Sequence, residues 1–542
     1  MMNGSRRARL RAIFFYPLFL LGLLLLLTQI KSAANLYDEG LVLTNAERIR
    51  AGEVPYRDFW TMYGPGYFYA LAGLFSLVKP TILVARLLDT VLRFLLTLEV
   101  YLLSRTVTSR WVALLPYAFV TFWLATIRFY SYPAFPATGA LLLAALALWG
   151  YLRGGRRRWL FLSGMALGLT ALLRLDFGGY GAFGFGLALA LFELRKPSPA
   201  GGAWPTWPAR VLKAEALMAA GALLVALPLY AYLVLASGFA TVYDDLVVFP
   251  ATVFQAVRHL PVPPLVPDFS QLTGGQWNDW LRLYFPLAIY AAAIVVSLRR
   301  LFLRPGPPSD RRPAVGALFL ALTGTGLGLV VKATSRYHDL HVLPTTICAV
   351  ILATALIGRI PRRLWRSAPF KIGFAGLVFL FLTGPYVAHF GMLAARGPTS
   401  PTVCYSQLAR AGCVPVSRDE ERVADYLRAN TRPDEYVFIG NSRHDLIFIN
   451  DLLLTFLVDR RSPTKYTELH PGLATTLPVQ QIIANDLAEK DVQWVVTMQS
   501  WESHEPNASS ISSGVTFLHD YIREHYRPET TFGSYQVWRR QP

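Results

Sequence analysis

Cysteine is nearly absent: there are three in 542 residues. Cys348 falls inside an apolar run and reads as an inert packing residue, which leaves Cys404 and Cys413. Those two lie nine positions apart, where an oxidising compartment permits a disulfide that would staple a linker. The chain also lacks a Walker motif or phosphate-binding glycine loop, which removes P-loop chemistry from its C-terminal region. No internal repeat is visible, which counts against a secondary transporter built from repeated halves. Charge is scarce as well. Only 16% of residues are charged and 54% are hydrophobic, and the mean hydropathy of +0.37 is too high for a soluble protein.

Apolar runs place about eleven spans, at 13–30, 81–103, 111–127, 135–152, 159–173, 177–194, 214–236, 283–298, 314–331, 342–360 and 372–391. The formal charge of +18 would suit a nucleic-acid binder. Its arginines instead cluster in alternate connections, including Arg156, Arg157, Arg158, Arg299, Arg300, Arg362 and Arg363. That is the positive-inside pattern, so these loops and the N-terminus are expected in the cytoplasm, with no nucleic-acid partner. The run 65–78 is too short to span and is expected as a helix on the outer face. The expected fold is an α-helical polytopic membrane protein with a C-terminal extracytoplasmic α/β domain. Its parts are a membrane domain at 1–392, with a first external loop at 31–80, a linker at 393–416 and the α/β domain at 417–542. A capping box, Ser417 with Glu420, opens that last domain, whose role reads as structural or acceptor-facing.

The candidate chemistry gathers in the external connections. Tyr37, Asp38 and Glu39 follow the first span directly. Two adjacent carboxylates at the lip of a bilayer suit proton abstraction, because partial burial and mutual repulsion lift a pKa toward neutrality. An ordinary solvated turn is the plainer reading. Residues 41–50 read as an interfacial amphipathic helix. Beyond it Arg57, Asp58 and Tyr63 sit on an aromatic bend, where Tyr56, Phe59 and Trp60 are expected as headgroup-level anchors. Arg86, Asp89 and Arg93 share a helix face and read as a self-neutralised triad. Arg174 and Asp176 are expected at the outer surface. Lys332, Arg336, Tyr337, His338 and His341 crowd one late connection, which suits a phosphate held by a guanidinium. His338 and His341 alone make a weak metal signal.

An Asp-Glu pair after one span, a helix ending in Gly-Glu-Val-Pro-Tyr, and a Tyr-Gly-Pro-Gly-Tyr bend into a short apolar helix together resemble the polytopic GT-C glycosyltransferases. The protein O-mannosyltransferase and lipid A aminoarabinose transferase group is the nearest in look. The late Ser-Arg-Tyr-His-Asp-Leu-His segment is similar to that family's lipid-phosphate loop. The resemblance implies inverting transfer of a sugar from a polyprenyl-phosphate donor to a glycan, lipid or protein acceptor, on the extracytoplasmic face of a bacterial plasma (inner) membrane. Asp38 would be the general base and Glu39 would orient it or the acceptor. Arg336, with Lys332, Tyr337 and His338, would hold the donor phosphate, and Arg57, Tyr63, Arg174, Asp176 and His341 would line the pocket. The loop 128–136, RFYSYPAFP, lacks the second acid that many relatives carry. A metal-independent reaction without cofactors is therefore expected, with Arg128 as a further phosphate contact or a simple span anchor. A transporter, or a non-catalytic scaffold in envelope glycan assembly, is the competing reading.

Overall fold

The computed structural model describes residues 15–196, 207–302 apart from 269, 311–357, isolated positions between 363 and 391, 402–499 and 503–542. The expected span at 372–391, apart from positions 373 and 391, and the first part of the linker, 393–401, lie outside the described residues.

The chain enters through α1 (Tyr16–Leu27), then α2 (Asp38–Arg50), α3 (Gly66–Leu77), α4 (Ile82–Val107), α5 (Leu114–Thr126), α6 (Ala134–Gly154), α7 (Arg157–Leu173), α8 (Leu175–Arg195) and α9 (Trp207–Ser237). After short turns that end in a helix at Val253–Arg258 come α10 (Gly274–Phe302), α11 (Arg312–Ser335) and α12 (Asp339–Ile357). Among the described residues six helices, α6 and α8 to α12, are long and apolar enough to cross a membrane. α4 runs 26 residues but carries Arg86, Asp89, Arg93 and Glu99, so length and not hydropathy marks it as a member of the bundle. α3 has 12 residues, about 18 Å of helix against a hydrocarbon core of roughly 30 Å.

The expected triad on α4 is divided. Arg93 pairs with Asp89 at 2.6 Å and donates to the carbonyls of Leu124, at 2.9 Å, and Ile127, at 2.8 Å. Those are orphan carbonyls at the end of α5, so Arg93 caps that helix from its neighbour. Arg86 turns the other way. It binds Glu39 through two bonds, at 2.6 and 2.7 Å, and the carbonyls of Ile30 and Ser32 at 2.8 and 2.7 Å.

The C-terminal region consists of α13 (Arg418–Asn430), β1 (Val437–Asn441), α14 (Leu452–Val458), α15 (Leu477–Glu489), β2 (Trp494–Met498), α16 (Phe517–His525), β3 (Tyr526–Phe532) and β4 (Tyr535–Arg540). The sheet order is β1-β2-β4-β3, with β1 and β2 parallel and the other pairs antiparallel. The capping box is formed: Glu420 N–H donates to Ser417 Oγ and Ser417 N–H to Glu420 Oε2. A disulfide joins Cys404 and Cys413.

This region does not stand apart from the membrane helices. α14, an all-buried Leu-Leu-Leu-Thr-Phe-Leu-Val run, lies on α2. The contact is so close that a Cβ on Gly40 would come within 2.2 Å of the Leu453 backbone nitrogen. Thr44 donates to Leu452 O at 2.9 Å, and Leu453 N–H donates to Leu36 O at 2.8 Å. The helix expected at the membrane interface is thus roofed by protein: Leu41, Val42, Leu43 and Ala46 are all buried. The expected aromatic anchors Tyr56, Phe59 and Trp60 are core residues for the same reason. Trp60 packs edge-on against Phe249, with ring centroids 4.9 Å apart, and its backbone N–H donates to Lys465 O at 3.0 Å.

Candidate active site

Asn35 starts α2. Its Oδ1 accepts the N–H groups of Tyr37 and Asp38 at 3.0 and 2.7 Å, an Asx turn that pins the first helical turn. Asp38 and Glu39 sit at the positive end of the helix dipole, and Arg48 and Arg50 at the negative end. The two carboxylates point to different places. Glu39 is fully buried against Arg86 and does not line the cavity. Asp38 is half-buried and opens into a cavity of about 460 Å³.

That cavity is walled by Tyr37 and Asp38 from α2, Tyr63 from the bend, Tyr132 from the loop before α6, and Phe254 and Arg258 from the short helix. Arg336, His338 and His341 come from the late connection, and Phe448, Ile449 and His470 from the C-terminal region. A smaller chamber of about 80 Å³ shares Met62, Tyr63, Tyr132, Phe254 and His341 with it, and adds Arg174, Asp176 and Lys332. The shared walls make the two one cleft.

Its electrostatics are uneven. Burial lifts the Asp38 carboxyl to about 7, against the opposing pull of Arg258 and Arg336. Arg336 is engaged by Glu505 in a fork, with Nη1–Oε2 at 2.9 Å and Nη2–Oε1 at 2.5 Å, and also donates to Arg258 O at 2.9 Å. Burial works to raise the Glu505 carboxyl, but hydrogen bonds from Arg336 and Asn507 and the Arg258 charge hold it at about 2. Arg258 lies 3.6 Å from the same carboxylate and rests on the Phe448 ring at 4.7 Å. His470 is pushed down to about 3 by burial and by Arg258, so a neutral ring lines the wall. Behind Tyr37, its hydroxyl donates to Glu468 at 2.6 Å. Burial raises that acid to about 8.

Of the residues singled out in the sequence, Asp38, Tyr63, Arg336, His338 and His341 meet at the larger chamber, and Arg174, Asp176 and Lys332 at the smaller. Arg174 and Asp176 are paired at 2.9 and 2.6 Å, inside the cleft and not out on the surface. Tyr337 turns away and donates to Asp279 O at 2.5 Å. Arg57 is exposed, forked onto Asp58, and Arg128 is exposed; neither lines the cleft. His338 and His341 gather no third ligand: among the described residues no three His, Cys, Asp or Glu side chains are grouped to hold a metal. Sequence reasoning passed over Arg258, His470 and Glu505. His470 and Glu505 lie in the region read as structural or acceptor-facing. Only a third dimension puts them beside Asp38.

No family model matches the sequence, and no curated protein matches it. Among solved structures the chain is similar to ArnT from Cupriavidus metallidurans bound to undecaprenyl phosphate, at 14% identity and a TM-score of 0.56 over 97% of both chains. The apo state of the same protein gives 14% and 0.56 over 98% of both chains. The oligosaccharyltransferase of Archaeoglobus fulgidus tethered with an acceptor peptide gives 13% and 0.51, over 98% of this chain and 74% of that one. The chain therefore shares the fold of these proteins along nearly its whole length.

Proposed function

We propose that this protein is an integral-membrane glycosyltransferase that moves a sugar from a polyprenyl-phosphate donor to an acceptor hydroxyl on the extracytoplasmic face, with inversion. The observation that carries the reading is the placement of Asp38, a carboxyl lifted to about 7, in one chamber with Arg258 and Arg336. A base near neutrality and a pair of guanidiniums are what the two ends of this reaction require. The solved relative bound to undecaprenyl phosphate adds a ligand of the matching class.

In this mechanism Asp38 takes the proton of the acceptor hydroxyl as that oxygen bonds to the anomeric carbon. The bond from that carbon to the phosphate oxygen breaks, and the electron pair leaves on the phosphate. Arg336 and Arg258 meet the growing charge. Because Glu505 occupies the Arg336 fork, the phosphate displaces a carboxylate when it docks. We keep the reaction metal-independent in this reading because the loop 128–136 carries no second acid to bridge a metal with Asp38. Glu39 serves as a structural joint in this account.

The test is sugar transfer by purified protein in lipid, from a panel of radiolabelled polyprenyl-phosphate sugars, beside Asp38→Asn and with chelator. Turnover that survives the chelator and is lost in the variant is expected. Transfer that persists in Asp38→Asn would contradict the assignment.

A further inference from the structure

The smaller chamber holds a cation without a counter-ion. Lys332, on the last turn of α11, is half-buried, and among the described residues its ammonium makes neither a hydrogen bond nor an ion pair. The Phe254 ring lies beside it, 5.2 Å from Nζ. Asp176 is the nearest source of opposite charge, but both its oxygens are bound by Arg174, at 2.9 and 2.6 Å. Two cations against one carboxylate leave the chamber with one surplus positive charge, at a place where charges are normally paired. Its volume of about 80 Å³ suits a compact oxyanion. The Arg336 fork, by contrast, already has its carboxylate in Glu505.

We propose that Lys332, beside the Arg174–Asp176 pair, is a second oxyanion seat, separate from Arg258 and Arg336, so that the substrates bring two anionic groups into the cleft. The seat takes a phosphate or carboxylate group other than the leaving phosphate. This rests on the transferase reading only for what the first seat holds.

The experiment uses the full chain in lipid nanodiscs, saturated with polyprenyl monophosphate, into which inorganic phosphate is titrated calorimetrically. Wild type is expected to bind phosphate with the lipid phosphate still in place. Lys332→Met should weaken that binding by at least about tenfold, and Lys332→Arg should retain it. Arg128→Met, away from the cleft, should leave it unchanged. One-for-one displacement of the lipid by phosphate, or wild-type binding by Lys332→Met, would overturn the proposal. Replacing the monophosphate with polyprenyl diphosphate separates the sources. Inorganic phosphate shut out by the diphosphate assigns the second anion to the donor, and phosphate still admitted assigns it to the acceptor. If wild type takes up no lipid phosphate, the transferase reading fails, while phosphate binding that depends on Lys332 still reads out the seat.

Discussion

Asp38 and Glu39 are neighbours in the chain with nearly the same side chain, and the fold gives them opposite lives. Glu39 is sealed in a forked ion pair with Arg86, which in turn gathers the carbonyls of Ile30 and Ser32. Asp38, one residue earlier and about 100° around the helix, faces the cavity with no salt-bridge partner among the described residues, and burial lifts its carboxyl to about 7. A paired buried charge locks geometry, and an unpaired one is primed to take a proton. That contrast separates structure from chemistry at this site, and substitutions can break it.

The largest effect is expected from Asp38→Asn. Turnover should fall by about 10²–10⁴, the range of a general base, while the fold survives. The sign of the stability change is specific. With the native carboxyl at about 7 and the unfolded one near its ordinary value, folding loses stability as pH rises from roughly 4 to 7. The neutral asparagine avoids that loss, so the variant's melting temperature at pH 8 should equal or exceed that of wild type. Glu39→Gln should do the reverse. It leaves the buried Arg86 without its counter-charge, at a cost of about 3–5 kcal/mol, seen as a lower melting temperature and a low yield of folded protein. A Glu39→Gln protein that melts like wild type would dissolve the contrast.

A smaller effect concerns the first phosphate seat. Glu505→Gln keeps the shape but removes the charge that competes for Arg336, so affinity for polyprenyl phosphate should rise roughly tenfold, about 1.4 kcal/mol, as read by calorimetry. Weaker binding in that variant would mean that Glu505 positions the arginine for the phosphate and does not compete with it.

Much of the membrane half was legible in the sequence because hydropathy reports burial in lipid directly. The helices near 81–103, 135–152, 177–194, 214–236, 283–298 and 314–331 stand close to where the apolar runs put them. What failed was the surroundings of the first loop. An amphipathic helix and three aromatics carry the same pattern whether the apolar face meets headgroups or protein. The missing fact was α14, a seven-residue helix whose apolar run gives no periodicity to read. β3, Tyr-Arg-Pro-Glu-Thr-Thr-Phe, is an edge strand with Pro528 and a mostly exposed face, so it carries none of the apolar run that marks a buried strand. In the site, Asp38, Arg336 and Lys332 were visible as charges in the wrong solvent. Arg258, His470 and Glu505 were not, because their meaning comes from neighbours up to 432 positions away, as with His470 and Asp38 on the same wall. The Arg86 partner of Glu39 was not legible, because a sequence shows that a carboxylate is near the membrane without showing which arginine faces it.

The central claim is that Asp38 takes the acceptor's proton, and the rate of sugar transfer as a function of pH tests it most directly. Single-turnover transfer from a saturating polyprenyl-phosphate sugar, measured from pH 5 to 9 (roughly the window around a group titrating near neutrality), should rise tenfold per pH unit and level off near pH 7, where Asp38 is ionised. Asp38→Asn should be slow throughout and lack that limb. A wild-type profile that is flat through this range, or a variant that keeps the same limb, would contradict the account.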